Sequence, residues 1–488
     1  MADLLSYTIE DFNGGISDKP NKGVKGSFKF GYGINVRDDL SVLTCNQAMK
    51  KDSGSTVTDL INFFVPASDG NLYGFGDTGK IYQRTPGGAW SLIYTDAGGA
   101  ILGAAEFEHN DGSGNYVPYL VWATQTKLRK AKLSNISGTV TDAGNFAKGI
   151  SGDWHTMAPV QGVLEIADGD RLAMLDYEAA FNASALRLPT ALKIQTLIEQ
   201  GDQAVIGAIE RAKSQKGWAF TWERTADSWG MKKGISGRGV NAIIFFESGM
   251  AVMSGNGTLK YWDLVNLIPL KNFPGGGTVQ PGGVDEYKEV PHFGIYGGTK
   301  NGLYSYGRSD KNGVYSLNLD YLLSPVLAAG GAEFDLDAIE EKMADAALKI
   351  GAVSTYNGTP FVSWKDGDTY GVDTIDPDNK MPAVFESLEF NAGHPETDKM
   401  WRYIKAVANN IPEGTEVRFK YKTNQDTDWQ ETKRDDNVEI LAPGEKAAVF
   451  STEGQGEIYQ VRVELIPAGN VAPEVQSINN YFEATGIF

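Results

Sequence analysis

The residues that could carry out metal or nucleophilic chemistry are few and scattered along the chain. Cys45 is the only cysteine, which excludes internal disulfides and Cys-ligated zinc or iron–sulfur sites. No His pair has metal-ligand spacing and no Cys-x-x-Cys occurs, although the sequence has four histidines: His109, His155, His292 and His394. We expect Cys45 to be an inert, partly buried thiol and His109 to lie at the surface. We predict no catalytic residue, no metal and no cofactor.

Carboxylates are abundant, but their spacing matches no known site. Residues 373–379 (DTIDPDN) cluster oxygen ligands, yet they lack the glycine and glutamate that an EF-hand loop requires at its sixth and twelfth positions. We expect a solvated turn there and leave calcium binding open. A glycosidase needs two carboxylates about 5–10 Å apart. The carboxylates here are too numerous and too dispersed to single out a pair, so a propeller hydrolase remains an alternative only.

The charge balance argues against a nucleic-acid reader. The chain has 62 Asp and Glu against 44 Lys and Arg, a net charge of -18, whereas tight phosphate binding needs clustered cations. One basic run, residues 127–132 (KLRKAK), has the alternation of a strand. We interpret it as an edge strand protected by lysines from pairing with other chains.

Glycine excess and aromatic strands indicate a repeating β architecture. The chain has 58 glycines in 488 residues, and short apolar strands alternate with polar turns from about residue 57 to 376. We predict seven units, starting near residues 57, 101, 159, 203, 240, 289 and 348, with spacings near the ~40–50 residues of a propeller blade. Asn-Gly at 256–257, 312–313 and 357–358 predicts type I′ hairpin turns. The fold class is therefore mainly β, with a β-propeller of about seven blades, and an irregular sandwich array is the alternative.

The segments before and after the repeats differ in character. Residues 1–50 have few apolar runs and are predicted to form an N-terminal arm, and residues 51–380 to form the propeller. Helical spacing with Asp335 as N-cap predicts an inserted helix near 335–348. Residues 381–488 alternate as in an antiparallel β-sandwich: in 416–423, Val417, Phe419 and Tyr421 share one face and three cations share the other.

No export signal or membrane span is expected. The acidic N-terminus MADLLSYTIEDF lacks a basic segment followed by an apolar one. No apolar run approaches the ~18 residues of a spanning helix. We expect synthesis in a cytoplasm without membrane insertion.

Three stretches together resemble tailed-bacteriophage virion structural proteins, specifically the β-propeller nozzle and tail-tube proteins. They are residues 12–18 (FNGGISD) with 33–37 (GINVR), residues 302–308 (GLYSYGR) with 317–319 (LNL), and the C-terminal segments 399–404, 412–417 and 459–465. The resemblance implies a non-enzymatic tail component that forms a symmetric ring around the DNA passage. Its partners would be other copies of itself, neighbouring tail proteins and DNA in transit, and its location would be the virion.

The resemblance also suggests where such a ring would be held together. The arm would dock on a neighbouring subunit, so deleting residues 1–35 is expected to leave a folded chain that no longer assembles. The interface candidates are Phe12, Gly14, Gly15, Tyr32, Ile34 and Arg37. A tail-fibre or receptor-binding protein that recognises host glycans is an alternative, with Trp401 and Trp429 as candidate sugar-binding residues.

Overall fold

The computed structural model describes most of the 488 residues. The residues outside the description are 1–3, 18, 20, 22–24, 37–40, 213–214, 247, 274, 310–313, 322–340, 342, 394, 435–439 and 485–488. The chain forms two compact units. The first unit comprises residues 1–50, 304–337 and 375–488, and the second comprises residues 51–303 and 338–374.

The N-terminal segment forms short strands that pair within its own chain. These strands are β1 (Leu5–Ile9), β2 (Gly15–Ile16), β3 (Ser27–Tyr32), β4 (Ile34–Asn35), β5 (Thr44–Cys45) and β6 (Gln47–Lys51). Strand β4 pairs with β5, whereas the other four join sheets built mainly by later parts of the chain. The segment predicted as an arm that docks on a neighbouring subunit therefore contributes strands to sheets of its own chain.

Strands β7–β33, together with β6, form seven four-stranded antiparallel sheets in the part of the chain that the structure describes. Sheets 1 to 3 contain β7 (Ile61–Pro66), β8 (Leu72–Gly76), β9 (Lys80–Arg84) and β10 (Trp90–Thr95); β11 (Gly103–Asn110), β12 (Tyr116–Ala123), β13 (Lys127–Lys132) and β14 (Thr141–Asn145); and β15 (Met157–Val160), β16 (Val163–Asp168), β17 (Arg171–Asp176) and β18 (Phe181–Arg187). A 3-10 turn, Leu133–Asn135, lies between β13 and β14.

Sheets 4 to 7 continue the same up-and-down order. Sheets 4 and 5 contain β19 (Leu192–Gln200), β20 (Gln203–Glu210), β21 (Lys216–Glu223) and β22 (Lys232–Arg238); and β23 (Ala242–Phe246), β24 (Gly249–Ser254), β25 (Thr258–Trp262) and β26 (Leu267–Asn272). Sheets 6 and 7 contain β27 (Thr278–Tyr287), β28 (Val290–Tyr296), β29 (Gly302–Ser309) and β30 (Val314–Tyr321); and β31 (Leu348–Tyr356), β32 (Thr359–Asp366) and β33 (Thr369–Lys380), with β6 as the fourth strand.

The first strands of these sheets form a closed ring, which is the arrangement of a β-propeller. Each first strand contacts that of the next sheet, from β7 through β11, β15, β19, β23 and β27 to β31, and β31 contacts β7 again. All seven first strands belong to the second unit. Radial packing of this kind lets each sheet bury both faces against its neighbours. The prediction of a mainly β propeller is confirmed.

Two unit boundaries differ from the prediction. Sheet 4 begins at Leu192 rather than near residue 203, and sheet 6 begins at Thr278 rather than near 289. In both cases the prediction omitted the first, innermost strand, which is β19 in sheet 4 and β27 in sheet 6. Strand β27 contains the run Gln280-Pro281-Gly282-Gly283, where its register with β28 shifts, and such a run does not have the appearance of a strand.

Apolar side chains fill the spaces between neighbouring sheets. Between sheets 1 and 2, for example, Phe75 and Ile81 pack in one cluster with Leu120 and Trp122. Glycine is required where the inner strands meet, because a Cβ on Gly103 would lie 1.7 Å from the carbonyl oxygen of His155. The sheets therefore approach each other to backbone contact.

The hairpin turns were predicted with partial success. Asn357 and Gly358 both have positive φ, 50° and 70°, as a type I′ turn requires. At 256–257 only Gly257 has positive φ, so this turn is of another type. The Asn-Gly pair at 312–313 lies outside the described residues.

The remaining strands build two further sheets in the first unit. They are β34 (Ala383–Ser387), β35 (Lys399–Asn410), β36 (Glu416–Thr423), β37 (Gln430–Glu431), β38 (Ile440–Leu441), β39 (Ala447–Gly456), β40 (Tyr459–Ile466) and β41 (Glu474–Ala484). One sheet, called here the β1–β39 sheet, has the order β1-β41-β35-β39; the other, called here the seven-stranded sheet, has the order β2-β3-β34-β40-β36-β37, with β38 also on β36. The predicted alternation in 416–423 is confirmed, since Val417, Phe419 and Tyr421 are buried.

Half of the predicted helix near 335–348, residues 335–340 and 342, lies outside the described residues. Met343 and Ala344 have helical geometry, but Leu348 already begins strand β31. The predicted C-terminal boundary of the helix is therefore too late. Leu348 is buried as a strand residue, which accounts for the apolar character that had been attributed to a helix face.

Candidate functional site

The predicted interface residues that the structure describes are buried in the first unit. Phe12 is fully buried and packs edge-on against Phe385 at 5.3 Å, and Tyr32 and Ile34 are 2% and 1% exposed. Arg37 lies outside the described residues. Gly14 and Gly15 form a tight turn, in which a Cβ on Gly14 would lie 2.3 Å from the backbone nitrogen of Ser27 and Gly15 has φ 73°. Because their own chain covers these side chains, a contact with another subunit has to use other residues.

The two tryptophans proposed for sugar binding have different environments. Trp401 is 1% exposed and stacks on Tyr459 with ring centroids 4.3 Å apart, so its ring has no free face. Trp429 is half-buried, and the guanidinium of Arg462 lies 4.4 Å from its ring centroid. Arg462 in turn pairs with Glu386 at 2.6 Å. Core packing explains Trp401, and a cation–π contact occupies one face of Trp429.

The candidate metal-binding residues do not converge. The described residues contain no group of three or more His, Cys, Asp or Glu side chains able to hold a metal ion. Residues 373–379 belong to strand β33 rather than to a solvated turn. Asp373 is buried, accepts a hydrogen bond from Trp364 Nε1 at 2.7 Å, and has its pKa raised to about 7 by burial. Its carboxylate therefore has a structural partner.

The isolated histidine and cysteine are both structural. His109 was expected at the surface, but it is fully buried and stacks on Tyr119 at 3.9 Å, and burial lowers its pKa. Its aromatic strand neighbours cover it. Cys45 is fully buried, and burial raises the pKa of its thiol, as expected for an inert cysteine.

The basic run 127–132 is neutralised by acids of its own sheet. Lys127 pairs with Asp142 at 2.6 Å, Arg129 also pairs with Asp142, and Lys132 pairs with Asp111 at 3.0 Å. The run forms the third strand of sheet 2, and β14 lies beyond it, so its interpretation as an edge strand is wrong.

No helix in the described residues is long and apolar enough to span a membrane.

A groove beside strand β1, in the first unit, is the strongest candidate for a binding site. It encloses about 640 Å³, a size typical of ligand sites. Its apolar wall includes Tyr7 stacked on Phe390, with ring centroids 3.7 Å apart. The other lining residues are Thr8, Ile9, Glu10, Asp11, Asn21, Lys25, Gly26, Ser27, Phe385, Ser387, Leu388, Glu389 and Asn391.

The charged rim of the groove carries a net negative charge. Lys25 Nζ lies 2.5 Å from Asp11 and 3.4 Å from Glu10, and these acids raise the pKa of Lys25. Glu389 also lines the groove. Glu389 pairs with Lys29 at 3.8 Å, so two cations face three carboxylates and a small net negative charge remains, which favours a ligand with positive charge.

Strand β1 itself offers an open edge. It pairs with β41 on one side, from Leu5 opposite Phe482 to Ile9 opposite Ile478, and has no strand partner on the other side among the described residues. Leu4 and Leu5 are 43% and 45% exposed. An unpaired edge with exposed apolar side chains is a template for pairing with another extended chain. Sequence reasoning missed this groove because β1 had been assigned to an arm that docks on a neighbouring subunit.

Glu165 is the one strongly perturbed carboxyl in the described residues whose two oxygens both lack a hydrogen-bond partner. It is fully buried on β16. Its pKa is raised to about 8, chiefly by burial, with Arg224 opposing the shift and Glu199 adding to it. The folded chain thus keeps a proton that the unfolded chain releases above pH 4.5. Stability is expected to fall as the pH rises from about 4.5 to 8.

Replacing Glu165 by glutamine should remove this pH dependence. Glu165→Gln is expected to raise the free energy of unfolding at pH 7.5 by about 2–3 kcal/mol, with little change at pH 4.5. Urea unfolding at both pH values measures the difference. Glu108→Gln, at an exposed position of β11, is the control and should change neither value. An unchanged pH slope in Glu165→Gln would show that Glu165 ionises freely in the folded state.

Comparisons with known proteins give likenesses of fold only. No protein-family model and no curated protein matches the chain. Among solved structures, the WD40 β-propeller domain of Doa1 is 12% identical with a TM-score of 0.46, and the match covers 68% of this chain and 97% of that one. A streptogramin B lyase is 9% identical with a TM-score of 0.46, covering 68% and 98%. The RRP9 WD40 repeats are 11% identical with a TM-score of 0.45, covering 68% and 99%. At these values the likenesses assign no activity, ligand or partner.

Proposed function

We propose that this chain is a non-enzymatic structural protein of a phage tail. In this proposal each of the seven four-stranded sheets is a propeller blade, and the two sheets of the first unit form a β-sandwich. Copies of the chain form a ring, a nozzle or tail ring, around the passage for DNA. Neighbouring tail proteins are its other partners, and the virion is its location after synthesis in the host cytoplasm.

The placement of the resembling stretches supports the phage assignment. Residues 12–18 and 33–37, residues 304–308 of the stretch 302–308, and the segments 399–404, 412–417 and 459–465 come from three distant parts of the sequence, yet they belong to the first unit. A resemblance spread along the chain thus corresponds to one compact body. This body is also the one that contains the open edge of β1.

The open edge of β1 beside its groove is the observation that carries the assembly proposal. A closed ring needs contacts between two different surfaces of the same chain. An exposed strand edge, two exposed leucines and a groove of about 640 Å³ supply one such surface. The net charge of -18 suits a passage that must repel phosphate rather than hold it.

The proposal is tested by imaging the purified chain. We expect closed rings in negative-stain electron micrographs and a matching single mass by native mass spectrometry. A stable monomer at high concentration, or the release of sugars from a bacterial polysaccharide, would overturn the structural assignment. Rings that exclude added duplex DNA from the lumen would overturn only the role in DNA passage and would leave the structural assignment in place.

A further inference from the structure

The two exposed tyrosines of the described residues lie against each other. Tyr116 is 49% exposed at the start of β12, and Tyr177 is 51% exposed in the β17–β18 turn. Their ring centroids are 6.3 Å apart at an interplanar angle of 39°. Every other tyrosine side chain that the structure describes is buried or half-buried. Two large rings from neighbouring sheets therefore form one aromatic surface within the second unit.

Hydrogen bonds hold the two rings in this arrangement. The hydroxyl of Tyr116 donates to Glu178 Oε1 at 2.6 Å, and Asn110 Nδ2 donates to Glu178 Oε2 at 2.9 Å. The backbone nitrogen of Asn110 donates to the carbonyl oxygen of Tyr177 at 2.7 Å. The β11–β12 turn of sheet 2 and the β17–β18 turn of sheet 3 are thus joined directly. A surface that is ordered in advance loses little entropy when it binds, which favours affinity.

The β17–β18 turn is also fixed by its own residues. Asp176 Oδ1 accepts hydrogen bonds from the backbone nitrogens of Glu178 and Ala180 at 3.0 and 2.8 Å. Ala179 has φ 64°, the left-handed conformation that a tight turn uses. The turn therefore holds Tyr177 outward in a defined position.

The surface combines apolar ring faces with free hydrogen-bond acceptors. A tyrosine is a rigid apolar face with a polar end. The pyranose ring of a sugar has a C–H face that packs on an aromatic ring, and its hydroxyls need partners at the edge. Glu178 accepts two hydrogen bonds within the protein, whereas a carboxylate has about four acceptor positions. Its donors, Tyr116 and Asn110, lower the pKa of Glu178, so it is ionised and can still accept from hydroxyls at neutral pH.

The charge of the two turns restricts the kind of ligand. Their charged side chains are Asp111, Asp176 and Glu178, and Lys132 pairs with Asp111 at 3.0 Å. A net negative charge remains, which repels sugars that carry carboxylate or phosphate groups. The open surface also differs from the enclosed cage of aromatic rings that binds quaternary ammonium ions. A neutral sugar fits both features.

We propose that Tyr116 and Tyr177, with Glu178 as hydrogen-bond acceptor, form a binding site for a neutral oligosaccharide. The sequence had pointed to Trp401 and Trp429 for sugar recognition, and both of those belong to the first unit. The tyrosine site uses no residue of the groove beside β1. It therefore goes beyond the proposed function and does not depend on ring formation.

A glycan array that carries neutral and acidic bacterial oligosaccharides tests the proposal. We expect wild-type chain to bind neutral oligosaccharides, and calorimetric titration with the best-bound one gives the affinity. Tyr116→Ala and Tyr177→Ala should each weaken binding about tenfold or more, because each removes a ring face. Tyr177→Phe keeps the ring and should bind like wild type. Leu92→Ala, at a position 49% exposed on β10 of sheet 1, is the matched control and should change nothing.

The outcomes separate this site from the tail proposal. No glycan binding by wild-type chain, or binding that survives both alanine substitutions, would overturn the site. A preference for acidic oligosaccharides would overturn its assignment to neutral sugars. Binding of tetramethylammonium that Tyr177→Ala abolishes, without glycan binding, would show a cationic ligand instead. All of these results leave ring formation untouched, whereas a monomeric chain that binds a neutral glycan through Tyr177 would support the site and overturn the ring.

Discussion

Deleting residues 1–35 is expected to unfold the first unit rather than to release an intact chain from its assembly. The deletion removes β1 to β4 and with them seven buried apolar side chains: Ile9, Phe12, Ile16, Phe28, Phe30, Tyr32 and Ile34. Each contributes about 1.5–3 kcal/mol by burial, so the loss approaches or exceeds the ~5–15 kcal/mol by which a domain is stable. The partners Phe385 and Phe390 would be left exposed.

Hydrogen exchange measured by mass spectrometry locates the effect. Strands β34 and β40 should lose protection in the deleted chain, whereas β11–β13 of sheet 2 should keep it. Deleting only residues 1–4, which precede β1, is the control and should leave all of these strands protected. Full protection of β34 and β40 after the longer deletion would mean that the N-terminal strands are dispensable for folding, as expected of an arm that docks on a neighbouring subunit.

Trp401→Ala should cost about 3–5 kcal/mol of unfolding free energy, as expected for an aromatic residue removed from a core. The ring contacts Tyr459 and Phe482 at centroid distances of 4.3 and 4.7 Å. Its Nε1 donates to the carbonyl oxygen of Gly456 at 3.3 Å, which would lose that bond. Denaturant unfolding followed by tyrosine and tryptophan fluorescence measures the change.

Trp429→Ala is the matched control for the same residue type. It removes a half-buried ring that makes a cation–π contact with the Arg462 guanidinium, so we expect it to lower the free energy of unfolding by about 1 kcal/mol. A cost below 1 kcal/mol for Trp401→Ala, together with loss of binding on a glycan array, would return Trp401 to the role of a sugar platform. Equal costs for the two substitutions would contradict the difference in their burial.

Local patterns predicted local structure well. The Asn357-Gly358 turn and the alternation of 416–423 depend on backbone sterics and on the two faces of a strand, and both were visible in the sequence. The inner strand β27 was missed because its Gly-Gly bulge meets Asn62 of sheet 1, a tertiary contact that no local pattern encodes. The burial of His109 was missed for the same reason, since Tyr119 covers it from the next strand.

The candidate sites depended still more on long-range pairing. Phe12 and Tyr32 were predicted to contact another subunit because the strand that covers them could not be identified from the sequence. That strand, β34, follows more than 350 residues later. The groove beside β1 exists because β1 pairs with β41.

The pairing of β1 with β41 also constrains the order in which the protein folds. Leu5 pairs with Phe482. Strand β1, the first to be synthesised, therefore cannot find its partner until β41, near the C-terminus, has been made. Sheets 1 to 5 lie between them and use contacts within their own stretch of chain, so they can form while synthesis continues. Bringing two strands together across so long a stretch of chain is slow, because the conformational entropy of the intervening chain must be lost before the contacts form. The N-terminal strands, with Leu4 and Leu5 exposed, are therefore the part of the nascent chain that a chaperone would need to shield longest.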